Sequence, residues 1–120
     1  MSFQLQMEER PDYIAAIFIG SGVAEEVWPQ FGLIAECCKR VNKNKLLIDI
    51  TKAEGPLSVT EKYLAAEESR VFARYGIKVA FIEMPERVDP RKFFLQAAHN
   101  RGVNAEAFTN WEDAEEWLLK

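Results

Sequence analysis

The feature that most constrains the fold is a regular alternation of short apolar runs with longer stretches of helical periodicity. Largely apolar runs at residues 13–19, 46–50 and 77–82, and an alternation of apolar and polar residues at 103–107, are each followed by a segment with the apolar pattern of a helix. Strands that are joined through helices run parallel to one another, and such crossovers are right-handed. The alternation therefore predicts an α/β protein built on a largely parallel sheet.

The N-terminus adds one more strand. Apolar and polar residues alternate over residues 3–8, which predicts a strand with one face in solvent. The break that follows contains Pro11 and is short, so this strand and the run at 13–19 should form an antiparallel hairpin. The second run is apolar throughout, as expected of a central strand that is covered on both faces. The predicted order is ββαβαβαβα, a five-stranded mixed sheet in which only the first strand is reversed.

Local signals mark where the four helices begin. Pro29 fits the first turn of a helix and not its interior, so the first helix should start near Trp28. The second opens at Ser58 with a capping-box sequence, and the third and fourth follow the caps Asp89 and Asn110. The inward face of the second helix is predicted to carry Leu64, Val71, Phe72 and Tyr75.

The composition fits one globular domain that spans residues 1–120. Hydrophobic residues make up 48% of the 120, enough for a core without disulfides or metal. The net charge of −4 and the lack of a dense basic run argue against nucleic-acid binding. No apolar stretch approaches the ~20 residues of a membrane span, and the acid-bearing N-terminus does not resemble a secretory signal. We expect a cytoplasmic protein.

The chemically reactive residues do not form a catalytic set. His99 is the only histidine, and the two cysteines, Cys37 and Cys38, are adjacent instead of spaced as metal or redox pairs. Both thiols are predicted to stay reduced and to pack. Gly20-Ser21-Gly22 follows a strand but lacks the spacing of a phosphate-binding loop. We therefore expect no enzyme activity, no cofactor and no bound metal.

Asp49 is the residue that the pattern singles out. It ends an otherwise apolar strand, and a loop is predicted at 51–57. In open α/β sheets ligands bind at this carboxyl edge, so Asp49 is a candidate binding residue. Alternatively, its carboxylate accepts backbone N–H groups and shapes the following turn.

Five short segments occur in an order that matches one known family. They are Leu46-Leu47-Ile48-Asp49, Gly55-Pro56-Leu57-Ser58, Lys78-Val79-Ala80, Asn100-Arg101-Gly102, and Phe108-Thr109-Asn110 with Ala114 and Trp117-Leu118. With this element order, nearly the whole chain resembles the STAS superfamily of anti-sigma-factor-antagonist-like domains, in particular its SpoIIAA-like branch. The resemblance implies a regulatory domain that binds a protein partner.

The resemblance also implies candidate regulatory residues. In antagonist members a serine or threonine that starts the second helix is phosphorylated, which switches the partner. Here this helix follows a longer turn, residues 51–58, and the hydroxyls at or near it are Thr51, Ser58 and Thr60. Ser58 thus has two interpretations, a helix cap and a phosphorylation switch. The SpoIIAA-like branch is also similar to lipid-carrying CRAL-TRIO domains, which implies the alternative of a carrier for a small apolar ligand.

Overall fold

Within residues 3–20, 28–53, 58–88 and 92–120, which the computed structural model describes, five strands form one sheet. They are β1 (Phe3–Glu9), β2 (Ile14–Gly20), β3 (Lys45–Ala53), β4 (Lys78–Ile82) and β5 (Asn104–Phe108), and they lie side by side in chain order. β1 pairs antiparallel with β2, whereas the β2–β3, β3–β4 and β4–β5 ladders are parallel. The predicted mixed sheet with one reversed strand is confirmed.

Helices cover both faces of this sheet. In the described ranges they are α1 (Gln30–Arg40), α2 (Val59–Glu68), α3 (Arg70–Arg74), α4 (Phe93–Asn100) and α5 (Trp111–Leu118), with a 3₁₀ turn at Pro85–Arg87. Each of the three crossovers, which contain α1, α2–α3 and α4, connects one strand to its immediate neighbour, always towards the same edge of the sheet. Right-handed crossovers of this kind place their helices on one face. α5 follows the last strand and packs on the opposite face.

Two hydrophobic cores result, one on each face of the sheet. The larger lies under α1–α4, where the ring of Phe31 contacts those of Phe18 and Phe72 at centroid distances of 6.5 Å and 5.2 Å. The smaller lies under α5 and includes Ala114 and Leu118. Successive residues of β2 enter opposite cores, which explains why this strand is apolar throughout.

The second predicted helix is divided in two at Ser69. The buried Ser69 hydroxyl donates to the carbonyl oxygen of Ala66 at 2.6 Å, a local bond that competes with regular helix geometry. Phe72 is fully buried as predicted. Leu64 and Tyr75 were expected on the inward face but are 45% and 40% exposed, so the prediction is wrong for both; next to Leu64, Ala65 and Ala66 are buried instead.

Strand β3 is longer than the sequence predicted. The expected loop from residue 51 is wrong for its first three residues, because β3 continues to Ala53 by pairing with the end of β2. α1 begins at Gln30, after Pro29, as expected from the proline. α4 begins at Phe93, preceded by Lys92 with a φ of 52°, and the predicted cap residues 89 and 90 lie outside the described residues.

Candidate functional site

Asp49 is buried inside β3, next to a β-bulge. Between the pairs Ile17↔Asp49 and Ile19↔Lys52, β3 contains one residue more than β2. Thr51 donates its backbone N–H and its hydroxyl to Asp49 Oδ1, at 2.8 Å and 2.7 Å. The N–H bond is the one predicted if Asp49 shapes the following backbone.

A second partner of Asp49 comes from the far end of the chain. Trp111 Nε1 donates to Asp49 Oδ2 at 2.9 Å, so both carboxylate oxygens have protein partners. Asp49 is 4% exposed. A charge buried to this degree is tolerated because several donors surround it. Asp49 thereby links the β3 bulge to the first turn of α5.

Ser58 is the exposed N-cap of α2. Its Oγ accepts the backbone N–H of Glu61 at 3.1 Å, and Glu61 Oε1 accepts the backbone N–H of Ser58 at 2.8 Å. This reciprocal pair is the predicted capping box. Thr60 lies in the same first turn and is exposed. The α2 N-terminus therefore presents two accessible hydroxyl groups.

The four predicted site residues form two separate pairs. Asp49 and Thr51 bond each other on the α5 side of the sheet, where Trp111 completes their contacts. Ser58 and Thr60 belong to α2, which lies over the larger core on the other side. The structure thus provides a buried polar cluster and an exposed helix start in place of one combined site.

The structure contains a pocket of about 220 Å³ whose lining residues the sequence pattern did not identify. It lies at the carboxyl ends of β3, β4 and β5, on the face covered by α1–α4. Its apolar walls come from Trp28, Phe31, Ile50, Ala65, Phe81, Phe94, Leu95 and Phe108. This is the edge of the sheet where a ligand site was expected, but on the face opposite to Asp49.

Trp28, which packs against Phe31 at a ring distance of 5.6 Å, forms one wall of the pocket. The residue is 8% exposed, and no described residue accepts a hydrogen bond from its buried Nε1. Burying a donor without an acceptor lowers the free energy of unfolding by about 1–3 kcal/mol, and such donors are therefore rare in protein cores. The sequence pattern places Trp28 only near the start of the first helix and does not assign it to a pocket.

Four charged side chains belong to the described lining of the pocket. Lys62, Arg87, Lys92 and Glu83 are among its lining residues, and Arg87 Nη1 donates to the carbonyl oxygen of Ala53 at the end of β3. Burial raises the pKa of Glu83 above its usual range, while the Met84 N–H and Arg87 oppose that rise. The described lining therefore carries three basic groups and one acid whose charged form is disfavoured.

The remaining reactive groups of the described ranges have structural surroundings. Both cysteines are free; Cys38 is fully buried, and burial raises the pKa of its thiol to about 12. His99 Nε2 lies 2.8 Å from the carbonyl oxygen of Ala105. No group of three His, Cys, Asp or Glu side chains suited to a metal ion occurs in the described part of the chain. None of the helices within those residues has the length and hydropathy to cross a membrane.

Comparison with known proteins supports the fold. A scan of protein-family models and a search of curated proteins give no match to this chain. Among solved structures, an anti-sigma factor antagonist from Mycobacterium paratuberculosis is similar with a TM-score of 0.68 and 13% identity, over 99% of this chain and 96% of that one. A DUF3478-family protein with a SpoIIAA-like fold from Shewanella loihica PV-4 is similar with a TM-score of 0.60 and 20% identity, over 97% and 93%.

The sheet order, the helix placement and these two similarities define the fold class. The chain has a SpoIIAA-like fold, which is the fold that the resemblance in its sequence implied. At these identities the similarity concerns the fold, and function has to be argued from the surfaces that this chain presents.

Proposed function

We propose that this protein is a non-enzymatic regulatory module that binds a protein partner beside the N-terminus of α2. The proposal is supported by the fold it shares, over nearly the whole chain, with a protein named as an anti-sigma factor antagonist. The buried, protonated Cys38 thiol and the His99 contact with a backbone carbonyl favour a binding role over catalysis.

The observation that carries this proposal is an exposed apolar pair on α2. Tyr63 and Leu64 are 48% and 45% exposed, and they lie within two turns of Ser58. Tyr63 is held edge-on against Phe93 of α4 at a ring distance of 4.8 Å. Large apolar side chains that are exposed together on a firm base are typical of protein contact surfaces.

Phosphorylation of Ser58 is the switch we propose for this surface. Its hydroxyl is exposed, and the helix dipole favours the added charge of about −2 at an N-terminus, so the fold should tolerate it. The nearby Glu61 carboxylate would be repelled, which changes the charge that a partner meets. Thr60 is the second accessible candidate. Thr51 is less accessible because its hydroxyl is bonded to Asp49. We assign Asp49 the role of positioning Thr51 and the backbone that follows.

A pull-down with matched variants tests the proposal. We expect a captured partner to bind wild type and Ser58→Ala alike, although the lost cap costs ~1 kcal/mol of stability. Ser58→Asp and Leu64→Ala should lose the partner. Leu33→Ala removes an equally large, 60% exposed leucine from α1 and should bind as wild type does. Equal capture by all five proteins would contradict both the surface and the switch.

The pocket favours a second candidate function, the carriage of a small apolar ligand. Its 220 Å³ and its apolar walls suit such a molecule, and it lies at the sheet edge where α/β proteins bind ligands. Native mass spectrometry of freshly purified protein tests this candidate. A retained small-molecule mass supports carriage, and its loss in Ala107→Phe, which enlarges a side chain of the pocket lining, would locate it. Protein that is ligand-free, and remains so after incubation with cell extract, would contradict carriage.

A further inference from the structure

The charge around the pocket is the reverse of the charge of the whole chain. The protein has 19 acidic and 15 basic residues, yet among the described residues that line the pocket three are basic and one is acidic. The basic groups come from separate elements: Lys62 from α2, Arg87 from the 3₁₀ turn and Lys92 from the start of α4. Their convergence on one apolar pocket is a property of the fold, since no basic cluster joins them in the sequence.

Two of these cations have notable backbone features. Arg87 is bonded to the Ala53 carbonyl through one of the five N–H donors of its guanidinium. Lys92 has a left-handed backbone conformation, with a φ of 52° that is uncommon for a residue with a side chain. Backbone strain of this kind is often found where a side chain has to be placed for binding.

The volume limits the size of the ligand. A cavity of roughly 150 Å³ accommodates benzene, so the 220 Å³ pocket suits an apolar body of about ten non-hydrogen atoms. A full-length lipid chain does not fit within that volume. The apolar lining favours a ligand with an apolar body, and the basic lining residues favour a ligand with a negatively charged group.

We propose that the pocket binds a small amphipathic anion, a medium-chain or aryl carboxylate, with its apolar body between Phe31, Phe81 and Leu95 and its carboxylate at Lys62, Arg87 and Lys92. This inference rests on the second candidate function, carriage, and names its ligand class. It is independent of the partner surface near Ser58.

Nitrogen–proton correlation NMR of the full chain tests the proposal. The probes are octanoate, phenylacetate, octanol and octylamine, which share an apolar body of similar size and differ in charge. The indole N–H of Trp28 reports on the pocket wall, and that of Trp111, bonded to Asp49, is the internal control. We expect the two carboxylates to shift the Trp28 signal and leave the Trp111 signal in place. Octanol should bind more weakly than octanoate, and octylamine should not bind.

Two variants separate charge from shape. Lys62→Gln combined with Lys92→Asn should weaken octanoate binding by about tenfold, as expected for two partly exposed ion pairs. Asparagine also fits the left-handed backbone at 92. Lys39→Asn on α1 controls for the loss of a surface charge and should change binding by less than about twofold. Ala107→Phe, at an exposed position of the pocket lining, should abolish binding with the fold intact.

The possible results are distinguishable. Equal affinity for octanoate, octanol and octylamine would overturn the anion assignment and leave apolar carriage standing. Trp28 shifts that persist in Ala107→Phe would place the ligand elsewhere and overturn the site. If no probe binds, the assignment fails, whereas carriage is judged separately by native mass spectrometry and the partner surface by the pull-down.

Discussion

The two faces of the sheet place a tryptophan in opposite hydrogen-bonding situations. On the α5 face, Trp111 donates its Nε1 proton to Asp49 at 2.9 Å. On the α1–α4 face, Trp28 buries the same group, and no described residue accepts its proton. One indole completes a polar cluster that fixes a helix, while the other forms the wall of a pocket.

Further bonds attach α5 to the sheet and its neighbours. Tyr13 donates its hydroxyl to Glu115 at 2.6 Å, and burial raises the Tyr13 pKa to about 12. Lys78 donates to the carbonyl oxygen of Trp117 at 2.7 Å and lies over its ring. The difference between the faces indicates that α5 has a structural role, and that the opposite face retains the space and the unpaired donor that binding sites tolerate.

The largest expected effect is that of removing Asp49. Asp49→Ala deletes the acceptor of three hydrogen bonds and leaves the Thr51 and Trp111 donors unpaired. We expect it to lower the free energy of unfolding by about 3 kcal/mol. Urea denaturation measures the change, and Glu116→Ala, at an exposed position of α5, should cost less than about 0.5 kcal/mol. A similar small loss in both variants would show that the α5 cluster does not stabilise the fold.

Matched substitutions of Trp111 and Trp28 test the contrast between the two faces of the sheet. Trp111→Phe removes the donor to Asp49 and should cost about 2 kcal/mol. Trp28→Phe removes a donor that has no described partner, so we expect a change of less than about 1 kcal/mol. Both substitutions keep an aromatic ring, and urea denaturation compares them directly. If Trp28→Phe were the more destabilising change, the contrast between the faces would be wrong.

The fold could be predicted because its signals are local. The alternation of apolar runs, the capping box at Ser58 and the cap at Asn110 are read within a few residues, and the structure contains each of them. The bond from Thr51 to Asp49 spans two residues, and a backbone bond of this kind was one of the two alternatives for Asp49. The break at Ser69 was missed, because the sequence pattern does not reveal a bond from a buried hydroxyl to the helix backbone.

The candidate site could be predicted only in part, because its contacts are distant in sequence. Trp111 lies 62 residues from Asp49, so the pattern around Asp49 carried no signal of it. The pocket combines residues from α1 to β5, among them Trp28, Lys62 and Lys92. Each has an ordinary explanation in its own segment, and only the packing of the helices brings them together.

The smallest expected effect concerns Glu83, the half-buried carboxylate at the pocket. Burial raises its pKa, with smaller contributions from Asp49 and Glu86, and the folded state therefore holds its proton more tightly than the unfolded state does. Stability is then lost as the pH rises from 4.5, the ordinary value, through the raised one.

Glu83→Gln keeps an acceptor for the Met84 N–H, which Glu83 Oε1 binds at 2.8 Å, and removes the titration. We expect the variant to be slightly more stable than wild type at about pH 7, with the difference disappearing near about pH 4. Urea denaturation of both proteins at the two pH values measures how the stability difference between variant and wild type changes with pH. Glu36→Gln, at an exposed position of α1, controls for the loss of one carboxylate. A stability difference for Glu83→Gln that is the same at both pH values would contradict the raised pKa of Glu83.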